Sequence, residues 1–429
     1  MSNEQAPTLS ERRLRFLGPG MRQFYDFPFH PVSGEGVWLV DGDGRRYLDA
    51  YNNVPHVGHC NPTVVEALSR QAATLNTNTR YLHETILDYA ERLLATMPPG
   101  LDTCMFVCTG TEANDLAWRL ARAYTGNDGA IATRHAYHGN STFVSALDCS
   151  TGRPERPNHW LATVPAPPDA AAPGEDAAAY AGHFDAAIAT LAAHGHRPAA
   201  SYMDSLFATD GLDLPAPGFL DEALRRLRAA GGLCVADEVQ PGLGRTGTAM
   251  WGFQNLGIVP DIVTTGKPMG NGHPLAVLVT RREIVDAFFA GDRYFNTFGG
   301  NPVSAAVGLA VLDVVEREGL ADNARLVGSY LKDSLAELAG RHEAVDAVKG
   351  AGLFLGVAIV DPATGQADPA SARRIINEMC RRGVLVGLTG PSSNLLKIRP
   401  PLVFGRAEAD LLVGTLEMVL ESARTRRQA

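Results

Sequence analysis

The chain has 429 residues, 45% of them hydrophobic, enough to bury one large core or two smaller ones, which excludes disorder of the whole. The formal charge of -9 comes with Lys and Arg scattered rather than blocked, which argues against nucleic acid or an anionic membrane surface as a partner. No apolar run approaches the roughly 18 residues of a spanning helix, and MSNEQAPTLSERRLRFLGPG lacks the apolar core of a signal peptide, so a cytoplasmic protein is expected. Cys60, Cys104, Cys108, Cys149, Cys234 and Cys380 form no C-x-x-C pair and read as reduced thiols rather than disulfides or zinc ligands.

Residues 36–50, GVWLVDGDGRRYLDA, read as two short strands around the turn Asp41-Gly42-Asp43-Gly44. Asn61 as N-cap and Pro62 at the first position then open a helix over NPTVVEALSRQAATL. From there strands and helices alternate: MFVC (105–108) before the helix TEANDLAWRLARAY, then AIATRHAYHG, the helix FLDEALRRLRAA, and the strands GGLCVADEV, DIVTTGK and AVLVTR. Such alternation predicts a mainly parallel sheet with helices on both faces. Residues 164–183, rich in Ala and Pro, read as a surface excursion without chemistry. Beyond about residue 310, long helices (VSAAVGLAVLDVVEREG, ARLVGSYLKDSLAELAG) and short strands (GLFLGVAIV, LLKIRPPLV) take over, which suggests a second, smaller domain.

Asp237 and Glu238 close the apolar strand GGLCVA, so at least one carboxylate stands at the C-terminal edge of a sheet, where open α/β folds place ligands. A buried acid there calls for a cationic partner; the alternative is a helix cap or a surface pair just past the strand. Gly242, Gly244 and Gly247 follow as G-x-G-x-x-G, with Asp261 at the distance of a ribose-binding acid, the pattern of a dinucleotide site. The helix that this pattern requires is broken by Gly252, Gly257 and Pro260, so the segment reads as a flexible loop. Gly110 and Thr111 sit between MFVC and a helix with Thr109 and Glu112 in capping-box spacing. Helix-start N–H groups with a hydroxyl make a phosphate cup, or merely a capped helix. Tyr137, in HAYHG, is either a core aromatic or a ring that lies flat on a cofactor. Lys267, in TTGKPMGNG, is either a solvated loop lysine or, where desolvated, an amine that loses its charge and attacks an aldehyde.

Together these motifs resemble, in order and spacing, the class III aminotransferases, a family of fold type I pyridoxal phosphate (PLP) enzymes, over about residues 35–405. TGTEANDLAWRLAR is similar to the family's phosphate-cup helix, RHAYHG to its ring-stacking segment, ADEVQPGLGRTG to its cofactor-acid segment and DIVTTGKPMGNGHP to its lysine segment. The resemblance implies an α/β fold whose large domain (61–310) binds PLP on a mainly parallel sheet, with 1–60 and 311–429 as two parts of a smaller α+β domain. It implies that Lys267 holds PLP as a Schiff base and then acts as general base or acid, and that Asp237 keeps the pyridinium nitrogen protonated so the ring accepts an electron pair. Gln240 is expected near the phenolic oxygen, Tyr137 on the ring, and Gly110 and Thr111 on the phosphate together with Thr297 of a partner chain, in the loop NTFGGNPVSAAVGLAVL. A homodimer is therefore part of the expected site.

Two positions depart from the common pattern. Where many members carry an arginine three residues before Pro-Pro for the substrate carboxylate, this chain has Lys397, with Arg399 displaced to just before Pro400, and a point-charge ammonium does not imitate a bidentate fork. Where many have Glu on the strand after the loop, this chain has Asp204. Lys397, Arg399, Asp204, Tyr51, Asn53 and His56 are the expected substrate contacts, for a small amine or amino acid. Amino-group transfer to an oxo acid or aldehyde is the leading expectation. The segment NNVPHVGHCNPTVVEALSRQAATLNTNTRYLHETILDYAERL resembles the branch containing ethanolamine-phosphate and phosphohydroxylysine phospho-lyases, which makes elimination of phosphate or ammonia the alternative. A non-catalytic PLP-binding regulator would need a DNA-binding segment or the loss of lysine or acid, and the chain shows neither.

Overall fold

The computed structural model describes residues 7–21, 23–148, 158–170 and 176–428; Cys149 lies outside them. In chain order the elements are α1 (Leu9–Leu17), β1 (Pro31–Glu35), β2 (Trp38–Asp41), β3 (Arg46–Asp49), α2 (Pro62–Thr74), α3 (Glu84–Leu94), β4 (Thr103–Val107), α4 (Gly110–Thr125) and β5 (Gly129–Thr133). Then come β6 (Leu161–Val164), α5 (Ala177–Ala193), β7 (Pro198–Asp204), α6 (Asp221–Ala229), β8 (Leu233–Asp237), α7 (Gly252–Asn255), β9 (Ile262–Thr264), β10 (Ala276–Thr280) and α8 (Arg282–Gly291). The C-terminal part contains α9 (Pro302–Arg317), α10 (Leu320–Ala339), β11 (Val345–Ala351), β12 (Phe354–Ile359), α11 (Pro369–Arg381), β13 (Val384–Leu385), β14 (Gly387–Thr389), β15 (Leu395–Ile398) and α12 (Arg406–Gln428).

A seven-stranded sheet in the order β4-β10-β9-β8-β7-β5-β6 carries the candidate site. It is parallel from β9 through β6, while β10 runs antiparallel to both β4 and β9. Every residue of β5, β7, β8, β9 and β10 is buried, because alternate side chains enter different cores. Ile131, Met203, Cys234, Ala236 and Val263 join one cluster, and Ala130, Ala200, Tyr202, Val235 and Ile262 join another with Leu116 and Leu120 of α4. The register then fixes the edge: Asp204 pairs with Asp237, and Asp237 with Thr264, so the ends of β7, β8 and β9 form one row.

Two further sheets, β1-β2-β3-β13 and β11-β12-β15-β14, complete the fold, and the first joins N-terminal strands to a C-terminal one. The expected hairpin is β2–β3, and α2 starts with Asn61 accepting from Thr63 N–H and Pro62 at its first position. Two readings are corrected. Residues 164–183 are not all excursion: α5 begins at Ala177, where Asp176 caps the Ala179 N–H (2.7 Å) and the alanine run favours helix. The loop of Gly242, Gly244 and Gly247 is not flexible but buried under α10. A Cβ on Gly247, whose φ is +79°, would lie 2.4 Å from Arg325 N, so its glycine serves chain packing. Asp261 instead joins Arg281 and Arg228 (3.2 Å) and accepts from Cys234 N–H (2.9 Å), leaving no acid for a ribose.

Candidate active site

At the C-terminal edge of β7 and β8 lies a cavity of about 340 Å³. Seven of the sequence-predicted residues line it: Gly110, Thr111, Tyr137, Asp204, Asp237, Gln240 and Lys267. A larger cavity of about 740 Å³ between α11 and α12, lined by Arg374, Arg381, Ile375 and Leu420, holds none of them. The smaller one is the candidate because acid, amine and helix start converge there.

The strand-end acids go separate ways. Glu238 turns back to accept from Gly252 N–H (2.7 Å) and Phe253 N–H (2.8 Å), which is the helix-cap role, and burial pushes it up to about 7. Asp237 is held by three donors: Val239 N–H (3.0 Å) on Oδ1, and Asn114 Nδ2 (2.9 Å) and His138 Nδ1 (2.8 Å) on Oδ2. Asn114 in turn accepts from Thr264 Oγ1 (2.7 Å) and donates to the His138 carbonyl (2.8 Å), so α4, β8, β9 and the Tyr137 segment are tied at this one carboxylate. Burial alone pulls His138 down, but the hydrogen bond to Asp237 and the charges of Asp237, Asp204 and Asp210 outweigh it and hold His138 above the usual histidine range. Asn114 and His138 were missed from sequence. The signal was present: a polar residue inside the buried stripe Ala113, Leu116, Ala117 and Leu120, and a histidine beside Tyr137. His138→Leu, which strips one donor from Asp237, is expected to lower kcat by about 10- to 100-fold with little change in KM. A fall in KM and kcat together, or none in either, would remove its positioning role.

Lys267 follows β9 by three residues and is partly buried. Its segment is pinned where Thr265 donates from Oγ1 to the Val277 carbonyl (2.9 Å) and Met269 N–H closes a turn on the Gly266 carbonyl (2.9 Å). Burial, then the Arg399 charge, pulls its amine below the usual lysine range, and Asp237 and Asp204 only partly offset this. A lysine so placed is neutral, and therefore nucleophilic, at lower pH than a surface one.

Beside it, α4 begins at Gly110 with the capping box Thr109–Glu112 in place. Here the backbone comes unusually close to its neighbours. A Cβ on Gly110 would lie 2.6 Å from Val239 Cγ2, and one on Gly139 2.5 Å from Thr111 Oγ1. The helix start and its first N–H groups therefore line the cavity, as an anion requires, beside the Thr111 hydroxyl, which donates to Asn140 Oδ1 (3.2 Å). Tyr137 is 41% exposed on the same wall, an aromatic with a free face. Cup, free ring, fixed acid and desolvated lysine together match the phosphate, ring, pyridine nitrogen and aldehyde of PLP, so these residues fit that group.

The remaining expected contacts stand outside the cavity wall. Lys397 Nζ (3.2 Å) and Arg399 Nη1 (2.5 Å) both donate to Gln240 Oε1, from behind it, and Gln240 Nε2 donates onward to Asp204 Oδ2 (3.3 Å). Arg399 also donates to the Tyr51 carbonyl (3.1 Å) and stacks on its ring at 4.9 Å. Burial, then Arg399, holds Lys397 well below the usual lysine range, and burial, then Asp237, pushes Asp204 up to about 6. His56 is buried between the Leu243 carbonyl (2.7 Å) and Arg245 Nη2 (3.1 Å), and Asn53 is buried with both amide atoms unpaired among the described residues. Thr297 is exposed on the surface.

The model of the class-III aminotransferases matches residues 22–420. The chain belongs to this family. As a class-III aminotransferase it is a PLP-dependent enzyme of fold type I. It is 40% identical to alanine–glyoxylate aminotransferase 2-like of Drosophila melanogaster, covering 96% of this chain and 86% of that one. It is 37% identical to ethanolamine-phosphate phospho-lyase homolog 1 of Caenorhabditis elegans, over 96% and 92%. Among solved structures, a phospholyase from Arthrobacter in complex with phosphoethanolamine superposes with a TM-score of 0.93 at 43% identity, over 97% of this chain and 100% of that one. Among the described residues, no helix of this class-III enzyme is long and apolar enough to cross a membrane.

Proposed function

We propose that this enzyme eliminates phosphate from a small phosphorylated primary amine such as phosphoethanolamine. The observation that carries the reading is the buried cation pair Lys397 and Arg399, whose hydrogen bonds go to one amide oxygen and one carbonyl rather than to carboxylates. Two desolvated cations held together on Gln240, just behind the cavity wall, give the cavity a positive field that favours an anion. The likeness to a phospholyase holding phosphoethanolamine supports the same choice.

In this reading Gly110 and Thr111 would hold the cofactor phosphate, and Tyr137, Gln240 and Asp237 would serve its ring, its phenolic oxygen and its ring nitrogen. Bound PLP supplies the sink for the electron pair left at the amine-bearing carbon. Lys267, the residue that would hold the cofactor, would be released when the substrate amine takes its place, and its free amine would take the proton from that carbon. The C–O bond on the neighbouring carbon then breaks, phosphate leaving with the electron pair, and water releases ammonia and the aldehyde. Amino-group transfer is the second reading, favoured by the relatives called aminotransferases, and shares every step up to proton removal.

Loaded enzyme given phosphoethanolamine is expected to release phosphate, ammonia and acetaldehyde in equal amounts. Conversion of the cofactor to its pyridoxamine form by alanine or glutamate, with no phosphate released, would replace this reading by amino-group transfer. We also infer a homodimer, supported by the exposed Tyr81, Leu82, Phe295 and Phe298, an apolar group that a second copy would cover. A cytoplasmic setting is supported by the free thiols of Cys60, Cys104, Cys108, Cys234 and Cys380.

A further inference from the structure

The turn that follows Lys267 is bolted on two sides. On one, Asn271, at a left-handed φ of 47°, accepts from Val57 N–H (2.9 Å) and donates to the Gly58 carbonyl (2.9 Å). On the other, His273 Nε2 lies 2.8 Å from Ser304 Oγ, in the first turn of α9. Ser304 Oγ also accepts from Asn301 Nδ2 (2.8 Å), and that Nδ2 donates to the Phe298 carbonyl (2.7 Å). Asn296 Oδ1 accepts from Gly299 N–H (2.9 Å), while a Cβ on Gly299 would lie 2.4 Å from the Phe106 carbonyl oxygen. A continuous chain of bonds thus runs from the cavity wall, which His273 lines, to the loop that carries Thr297.

That loop is held by its own hydrogen bonds and yet does not line its own cavity. Thr297 is exposed, Phe298 is 70% exposed, and Arg80, two residues before the exposed Leu82, lies 3.9 Å over the Phe295 ring. Side-chain bonds that hold exposed threonine and phenylalanine in one arrangement prepare them for a surface outside the chain.

We propose that His273 is a positioning residue that acts in trans: through Ser304 and Asn301 it sets the 296–300 loop that completes the cofactor-phosphate site of the neighbouring subunit. One chain's lysine turn and the other chain's phosphate site are thereby set together. The inference rests on the homodimer and the PLP roles proposed above, and on the contact of Thr297 with a partner's cofactor phosphate that the family resemblance implies.

Hybrid dimers of differently tagged chains test it. In the first hybrid one chain carries both Lys267→Ala and His273→Leu and the other is unaltered; in the second the two substitutions sit on different chains. Only a site with Lys267 yields the visible absorbance of lysine-bound cofactor, so each hybrid reports on one site. Titration of cofactor-free hybrids with PLP is expected to show about tenfold weaker binding in the first, where the intact lysine receives its loop from the His273→Leu chain. The second, in which the altered turn belongs to the reporting chain itself and the loop comes from a chain with His273 intact, is expected to bind PLP more tightly than the first. The reverse pattern, or equal binding in both, overturns the proposal. In the first hybrid, Ser304→Ala in place of His273→Leu is expected to reproduce the defect, and His273→Gln, which keeps a polar nitrogen at similar reach, to relieve it. A Ser304→Ala hybrid with unchanged binding also overturns it. A monomeric mass in sedimentation would instead remove the dimer reading itself, before any hybrid is made.

Discussion

Lys267→Ala is expected to abolish turnover, by at least about 10³-fold, and to remove the visible absorbance of lysine-bound cofactor. The size follows from two tasks falling on one amine, covalent attachment and proton transfer, with no second lysine placed to take them over. Lys397 is the nearest candidate in kind, but its Nζ is committed to Gln240 Oε1 at 3.2 Å, behind the cavity wall. The unaltered enzyme should show a matching pH dependence. Because burial and Arg399 hold the Lys267 amine below the usual lysine range, cofactor capture should be complete at pH values where an exposed lysine is still protonated, and should fall as pH drops through that lowered value. Stopped-flow mixing of PLP with cofactor-free enzyme across pH measures this limb. Retained turnover with an unshifted spectrum in Lys267→Ala would sink the assignment.

Much of the fold was legible because local signals and long-range packing agree. Asn61-Pro62 opens a helix, Thr109 and Glu112 close a capping box, and the strand runs around Ala236 and Val277 are apolar on both faces, as a sheet covered on both sides demands. The residues that touch the cavity were legible for a related reason: they stand at strand ends and helix starts, whose places on the sheet edge follow from topology. The errors have physical causes as well. Glycines at 242, 244 and 247 suggested mobility, whereas they serve close packing, Gly244 and Gly247 against α10 and Gly242 against Trp251 and the Glu238 carbonyl. That Lys397 on β15 and Arg399 just after it both bond Gln240 was not legible, because pairing between distant strands leaves no mark in local sequence. Asn114 and His138 went unnoticed because a buried polar side chain is recognised by its partner, and the partner, Asp237, is 123 and 99 residues away.

Asp237→Asn is expected to separate two properties that Lys267→Ala destroys together. The amide keeps the volume of the carboxylate but loses its charge, and it presents one acceptor where three donors now converge. With its oxygen turned to Asn114 and His138, its NH2 group meets the Val239 N–H, and no negative group remains to hold a proton on the cofactor ring. Turnover should drop by about 10²–10³-fold, the scale for losing a preorganised electrostatic group. Attachment should survive, since Asp237 now raises the Lys267 amine, and removing that charge moves it further toward the neutral, reactive form. The same change reaches Asp204, which burial and the Asp237 charge push up to about 6. Without Asp237 it falls toward the ordinary carboxylate range, so any acidic limb that Asp204 contributes to the pH profile should shift to lower pH. The variant should therefore stay yellow and bind PLP while turning over slowly at every pH. A colourless protein, or one with normal kcat, would show that Asp237 serves the fold of the sheet edge rather than the chemistry at it.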